Sequence, residues 1–288
     1  MDILPQLILN SIIAGAIYAT IALGFNLIYG TAKFFDLGYG ALMAVGGYSV
    51  FYFYKTLGLD LYLSILIGIL ITGTIGLLVY KLVYSPLRKR KSSGMVLLVA
   101  ALGVLTALQA IVAILFTSQF QTLSKSAGLE KVFNILGGVI TQTQLVTLAI
   151  GLVIMVTIGL VFKYTLFGKA VKAIGDDEEV SKIVGINTEK IIGWVFFIGS
   201  AIGGLAGILI GLDTGIEPAM GMSLLLKGVI ACIIGGIGNV YGGVIGAFLL
   251  AFIENFGIWH ISGEWKDAIA FAVLILFLLF RPHGILKK

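Results

Sequence analysis

Nine long apolar runs follow one another along this chain, at roughly 7–29, 37–54, 61–80, 95–116, 140–162, 190–212, 223–237, 242–258 and 267–280. A helix needs about 20 apolar residues to cross a hydrocarbon core about 30 Å thick, and most of these runs reach that length. Only helices and closed barrels satisfy their backbone groups in lipid. Barrel strands would read as alternating segments of about ten residues, whereas these runs are continuous. The sequence therefore predicts an all-α polytopic membrane protein. Of its 288 residues 59% are apolar and 11% charged, too few charges to coat a soluble domain. A soluble enzyme, a disordered chain and a disulfide scaffold are excluded. The one cysteine, Cys232, lies in an apolar run and reads as a small buried hydrophobe. The first run lacks a basic leader and a clear cleavage site, so it is read as a retained helix.

The charges set an orientation. Lys81, Arg88, Lys89, Arg90 and Lys91 lie between the third and fourth runs; Lys163, Lys169, Lys172, Lys182 and Lys190 lie between the fifth and sixth; Arg281, Lys287 and Lys288 form the tail. These clusters place 81–93, 163–189 and the C-terminus in the cytoplasm. The net charge of +5 thus reports membrane topology and not a nucleic-acid partner. Parity leaves two arrangements: nine spans, or about eight transmembrane helices plus one re-entrant or discontinuous segment. The run 37–54, with Asp36 at its start and Gly38, Gly40, Gly46 and Gly47 within it, is the weakest full crossing. Eight plus one is the expectation.

Two sets of glycines recur at helical spacing: Gly199, Gly203, Gly207 and Gly211, and Gly238, Gly242 and Gly246. Residues four apart share a helix face, so each set predicts a flat strip for close helix packing. The stretch 223–258 is too long for one span and is divided at Asn239.

The segment 163–189 is the longest soluble stretch, with five bases and five acids. It predicts two short helices. The first covers about 168–174; the second has Asp176 as N-cap, Glu179 three residues on, and Gly185 as its stop. Gly175 lies between them as the turn. Val180, Ile183 and Val184 share one side of the second helix, too few to make a core, which points to packing on the membrane domain or docking into a cytoplasmic partner. Asn26, Asp36, Tyr39 and Glu254 are polar positions in or beside apolar runs, as is Lys227. A charge at mid-bilayer is costly, so these side chains face either helix neighbours or a wet translocation pathway. His260 and His283, at run ends, read as interfacial polar residues. No Cys/His cluster for metal and no catalytic constellation is present, and Gly168-Lys169 continues with Ala170 instead of a phosphate-cradling Ser or Thr.

The segment Gly168-Lys169-Ala170, then Lys172-Ala173-Ile174-Gly175-Asp176-Asp177, and Val184-Gly185-Ile186-Asn187, resembles the coupling loop of ABC-importer permeases. More narrowly, the chain resembles the branched-chain amino acid permease family of LivH type. The supporting segments are Ala22 to Gly30, Gly40 to Tyr48, Glu217-Pro218-Ala219-Met220-Gly221, Lys227, Gly235 to Gly242, and Glu254. Tyr39 departs from the family pattern, which has His or Gln before the glycine. The resemblance covers nearly the whole chain. It implies a single transmembrane permease domain over 1–288, working by alternating access in the cell membrane. It also implies cytoplasmic ABC ATPase subunits that bind the ATP, a second permease subunit, identical or sister, and an extracytoplasmic substrate-binding protein. The chain itself would carry no cofactor, and Gly168, Lys169, Ala170, Ile174, Gly175, Asp176, Val180, Ile183, Val184 and Gly185 would form the coupling site. The competing classes are a stand-alone channel or secondary transporter, and a permease for urea or short amides. Gly38-Tyr39-Gly40 lacks the Thr-Val that precedes Gly-Tyr-Gly in a potassium filter, and a stand-alone transporter has no need of the hairpin.

Overall fold

The computed structural model describes residues 3–123, 132–135, 137–259, 262–281 and 284–286. His260, His283, Lys287 and Lys288 lie outside the described residues. The helices are α1 (Ile3–Ala32), α2 (Gly38–Val50), α3 (Leu61–Val79), α4 (Ser85–Lys89), α5 (Gly94–Phe116), α6 (Gln142–Tyr164), α7 (Leu166–Asp176), α8 (Glu178–Ile183), α9 (Thr188–Asp213), α10 (Met220–Gly235), α11 (Val240–Gly257) and α12 (Lys266–Phe280). Two antiparallel strands, β1 (Val132–Ile135) and β2 (Gly138–Thr141), pair with Val132 opposite Thr141. Among the described residues six helical stretches are long and apolar enough to cross a membrane: Ile3–Ala32, Leu61–Lys89, Gly94–Phe116, Gln142–Tyr164, Thr188–Asp213 and Val240–Gly257; α10 is apolar but shorter. Helix α2 has 13 residues, about 20 Å at 1.5 Å per residue, and runs on as a π-helical segment, Phe51–Thr56. The run 37–54 is therefore a short helix with an irregular continuation.

The described chain divides into two units. The first comprises residues 1–26, 126–157 and 226–288, the second 27–125 and 158–225.

Backbone proximity organises the second unit. A Cβ on Gly207 of α9 would overlap the carbonyl of Met43 on α2, and one on Gly203 would sit 2.6 Å from the Tyr39 ring. Gly211 faces Ile216 and Leu123 in the same way. Two members of the predicted strip, Gly203 and Gly207, thus meet α2, and Gly199 is buried. A neighbouring position extends it: Gly204 lies against Thr72 of α3, and a Cβ on Gly46 would overlap Gly204 itself. Two helices can approach α9 this closely because α9 carries no side chain at these positions. Around this contact Ala44, Tyr48, Val50, Val112, Ile208 and Ile216 form a buried apolar cluster.

In the first unit Gly242 and Gly246 of α11 meet Gly235 and the carbonyl of Ala231 on α10, again backbone to backbone. Gly238 does not belong to that strip. It lies in the α10–α11 turn at φ +83° with open space around its Cα, so its role is the left-handed turn that glycine permits. Asn239 begins α11 as expected, its side chain accepting from the N–H groups of Tyr241 and Gly242. The chain end is tied down, the N–H groups of Ile285 and Leu286 donating to the carbonyls of Ile234 and Gly235. The Gln6 side chain clamps β2, accepting from the Val139 N–H at 2.7 Å and donating to its carbonyl at 3.1 Å.

Candidate functional site

The segment between α6 and α9 folds as the two-helix hairpin that its pattern predicts, with shifted joints. Thr165 caps α7, its hydroxyl accepting from the Gly168 N–H at 3.0 Å. Helix α7 runs through Asp176, two residues beyond the expected end. The N-cap of α8 is therefore Asp177 and not Asp176: its backbone is extended (φ −152°, ψ 113°) and its carboxylate accepts from the Val180 N–H at 3.0 Å. Adjacent aspartates offer the same cap chemistry, and the one that leaves helical geometry performs it. Gly175 is likewise not the turn; it lies inside α7 and is buried. Gly185 does end the second helix, at φ +88°, its N–H donating to Lys182 while that of Ile186 donates to Ser181.

Burial sorts the hairpin residues into two groups. Gly168, Val171, Ile174 and Gly175 are buried on one face of α7, and a Cβ on Gly168 would lie 2.5 Å from the Val161 carbonyl oxygen. These residues seat the hairpin on its own chain. Ala170 is half-buried, while Lys169, Asp176 and Gly185 are exposed. On α8 the apolar residues point to solvent: Val180 is 53% exposed, Val184 68% and Ile183 83%. An apolar edge on a well-capped helix is a surface that has no partner within its unit.

Ionic contacts fix the base of the hairpin. Arg88 of α4 donates to Glu178 at 2.6 Å, both side chains largely out of water, and Lys89 pairs with Glu189 at 2.7 Å. The Ser85 hydroxyl donates to Glu189 at 2.9 Å. Lys182 bridges Glu179 and Glu178, which raises its pKa. Tyr80, Ser85, Arg88, Glu178, Lys182 and Glu189 line a cleft of about 380 Å³. The basic segment after α3 and the loop after α6 thus lie side by side. Nothing local in the sequence marks the pairing of Arg88 with Glu178, because the partners are 90 positions apart.

The four polar positions considered for a pathway are all buried. In the first unit Asn26 donates to the Asn239 carbonyl at 3.1 Å and accepts from the Gly238 N–H at 2.9 Å, so it clamps the α10–α11 turn. Glu254 accepts from the Tyr18 hydroxyl at 2.7 Å, with Lys266 and Lys227 at 3.8 and 3.9 Å and Asp267 beyond Lys227 at 3.1 Å. Sequence reasoning had marked Lys227 and Glu254 but not Tyr18, which reads as an ordinary aromatic of α1. In the second unit Asp36 accepts from the Tyr84 hydroxyl at 2.6 Å, and Tyr39 lies under Gly203. Asn26→Ala would leave the part-buried Gly238 N–H and Asn239 carbonyl without that side chain. We expect a loss of about 1–2 kcal/mol, read as a lower melting temperature of the purified protein; an unchanged melting temperature would mean that the turn holds itself.

Comparisons with known proteins agree along the whole chain. The family described as "Branched-chain amino acid transport system / permease component" matches residues 7–278. The chain is 30% identical to the high-affinity branched-chain amino acid transport system permease protein BraD of Pseudomonas aeruginosa, over 98% of this chain and 95% of that one. It is equally similar to LivH of Escherichia coli, a protein of the same description, at 30% identity with the same coverage. A probable LivH of Methanocaldococcus jannaschii is 25% identical over 99% of this chain and 93% of its own. Among solved structures, PsaBC from Streptococcus pneumoniae in complex with Fab shares the fold, with a TM-score of 0.53, 12% identity, and coverage of 98% of this chain and 93% of that one.

Proposed function

Because the chain belongs to the branched-chain amino acid transport permease family, we propose that it is the membrane-spanning subunit of an ABC importer. In this reading the whole chain acts as one permease domain and carries branched-chain or related amino acids by alternating access. ATP is bound and hydrolysed by separate cytoplasmic subunits, a second permease subunit completes the pathway, and an extracytoplasmic binding protein delivers the substrate. The observation that carries the reading is the exposed apolar edge Val180, Ile183 and Val184 on a hairpin whose base is capped and ion-paired. A chain that transports alone has no use for such an edge. Asn26, Asp36, Tyr39 and Glu254 remain the proposed polar positions of the pathway.

The test is reconstitution in vesicles with the ATPase and binding-protein candidates. We expect uptake of leucine, isoleucine or valine that requires internal ATP and the binding protein. Uptake driven by an ion gradient without ATP would sink the importer reading, and ATP-driven uptake of urea or short amides alone would reassign the substrate.

Orientation has its own test. The hairpin, the basic segment after α3 and the chain end are expected in the cytoplasm. Cysteines replacing Lys91, Lys172 and Ile285, each exposed, with Cys232 removed, should escape an impermeant thiol reagent in intact cells and react after permeabilisation. Ser181 is no use as a probe because it is buried. Labelling from outside at any of the three would reverse the assignment.

A further inference from the structure

The hairpin α7–α8 is joined by the chain to α6 and α9, and by ion pairs to α4. That third attachment reaches the second unit independently of the covalent ones. Nη2 of Arg88 and Glu178 lie 2.6 Å apart, with side-chain exposures of 15% and 31%, and the buried Nη1 has no hydrogen-bond partner among the described residues. The guanidinium therefore depends on Glu178, and a part-buried pair of this kind holds its partners more firmly than an exposed one.

From Arg88 the path is continuous. Helix α4 is the direct continuation of a π-helical segment, Tyr80–Tyr84, at the end of α3. Such segments break the regular hydrogen-bond ladder and frequently mark functional sites. Tyr80 and Tyr84 are buried, their rings 4.8 and 5.5 Å from that of Phe196 on α9, and Phe34 packs edge-on to Tyr84 at 4.9 Å. The Tyr84 hydroxyl then donates to Asp36 at 2.6 Å. Asp36 lies just before α2, and a Cβ on Gly38, the first residue of that helix, would lie 3.0 Å from the Asp36 carboxylate and 2.9 Å from the Tyr84 hydroxyl. Helix α2 in turn has no slack against α9, because its Met43 and Gly46 backbone touches Gly207 and Gly204.

Resting on the importer reading above, we propose that Arg88 and Tyr84 are positioning residues that carry displacement of the hairpin, through Asp36, to the first turn of α2. The short helix α2 is then the element inside the membrane domain that moves with the ATPase. Glu178, Arg88, Tyr84 and Asp36 form the linkage. Packed rings and short hydrogen bonds transmit a shift because each has only discrete alternative arrangements.

The experiment uses the permease reconstituted with its ATPase and binding protein, and reads three quantities: ATPase retention, hydrolysis rate and substrate carried per ATP. Glu178→Arg should lower substrate per ATP by about fivefold with the ATPase retained. Combining it with Arg88→Glu, which restores the pair with reversed sign, should return the ratio to within about twofold of the original. Tyr84→Phe keeps the ring packing and removes only the hydroxyl; it should lower the ratio similarly, with retention and melting temperature unchanged. Lys91→Ala, which removes an exposed cation outside the linkage, should change nothing. Unchanged ratios in both Glu178→Arg and Tyr84→Phe, or failure of the double reversal to rescue, would overturn the linkage while leaving the importer reading intact. If the unaltered chain retains no ATPase, the importer reading itself falls, and the linkage with it.

Discussion

Gly207→Leu removes most of the folded permease from the membrane fraction. A Cβ at this position would overlap the Met43 carbonyl of α2, so the clash is with backbone and cannot be relieved by a rotamer change. Overpacking a well-filled interior costs about 1–3 kcal/mol, and in lipid no hydrophobic gain offsets the lost helix contact. The same substitution at Gly103 of α5, which has open space around it, should be silent. Gly203→Leu meets the ring of Tyr39 at 2.6 Å and should also destabilise the second unit. Purified yield, chromatographic profile and melting temperature of the three variants decide the matter. Equal behaviour of Gly207→Leu and Gly103→Leu would mean that α2 and α9 do not pack as described.

Ile183→Asp separates the permease from its ATPase and leaves the membrane domain intact. Ile183 is 83% exposed, so a carboxylate there disturbs no contact within its unit. Once docked, the same carboxylate would be unpaired in an apolar contact, at a cost of about 2 kcal/mol or more. That corresponds to about thirtyfold weaker ATPase binding. Pull-down of the ATPase by the variant permease, with a melting curve of the permease alone, tests both halves. Replacing Gly168 or Gly175 by a bulky residue is a different experiment, because both are buried. It would unseat the hairpin from its own chain and lose the ATPase indirectly. An Ile183→Asp permease that retains the ATPase and transports normally would reduce the hairpin to an ordinary loop.

The polar residues divide by the range of the interactions they make. Asn239 and Gly185 could be assigned from their neighbours, since a cap or a left-handed stop is decided within four residues. Asp176 and Asp177 show the limit of that reasoning: both can cap α8, and only the packing of α7 selects the second. Glu254 could be flagged as a costly intramembrane charge, but not matched to Tyr18, 236 positions away. The same holds for Asp36 with Tyr84 and for Glu178 with Arg88.

Several features were therefore determined by sequence alone. They are the membrane-spanning class, the helical segments and the two-helix hairpin. Each follows from local hydropathy, from periodicity or from the absence of a side chain, and none needs a distant partner. Tertiary structure alone decided which strip meets which neighbour, as when Gly204 joins Gly203 and Gly207 by meeting both Thr72 of α3 and Gly46 of α2. It also decided that Gly238 serves a turn, that Gly168 and Ile174 face inward while Ile183 faces out, and which buried charges are partners. In a chain that is apolar on nearly every face, hydropathy identifies what enters the membrane but does not distinguish lipid from a neighbouring helix. That distinction is made by close packing, where a single Cβ or one hydrogen bond selects the neighbour.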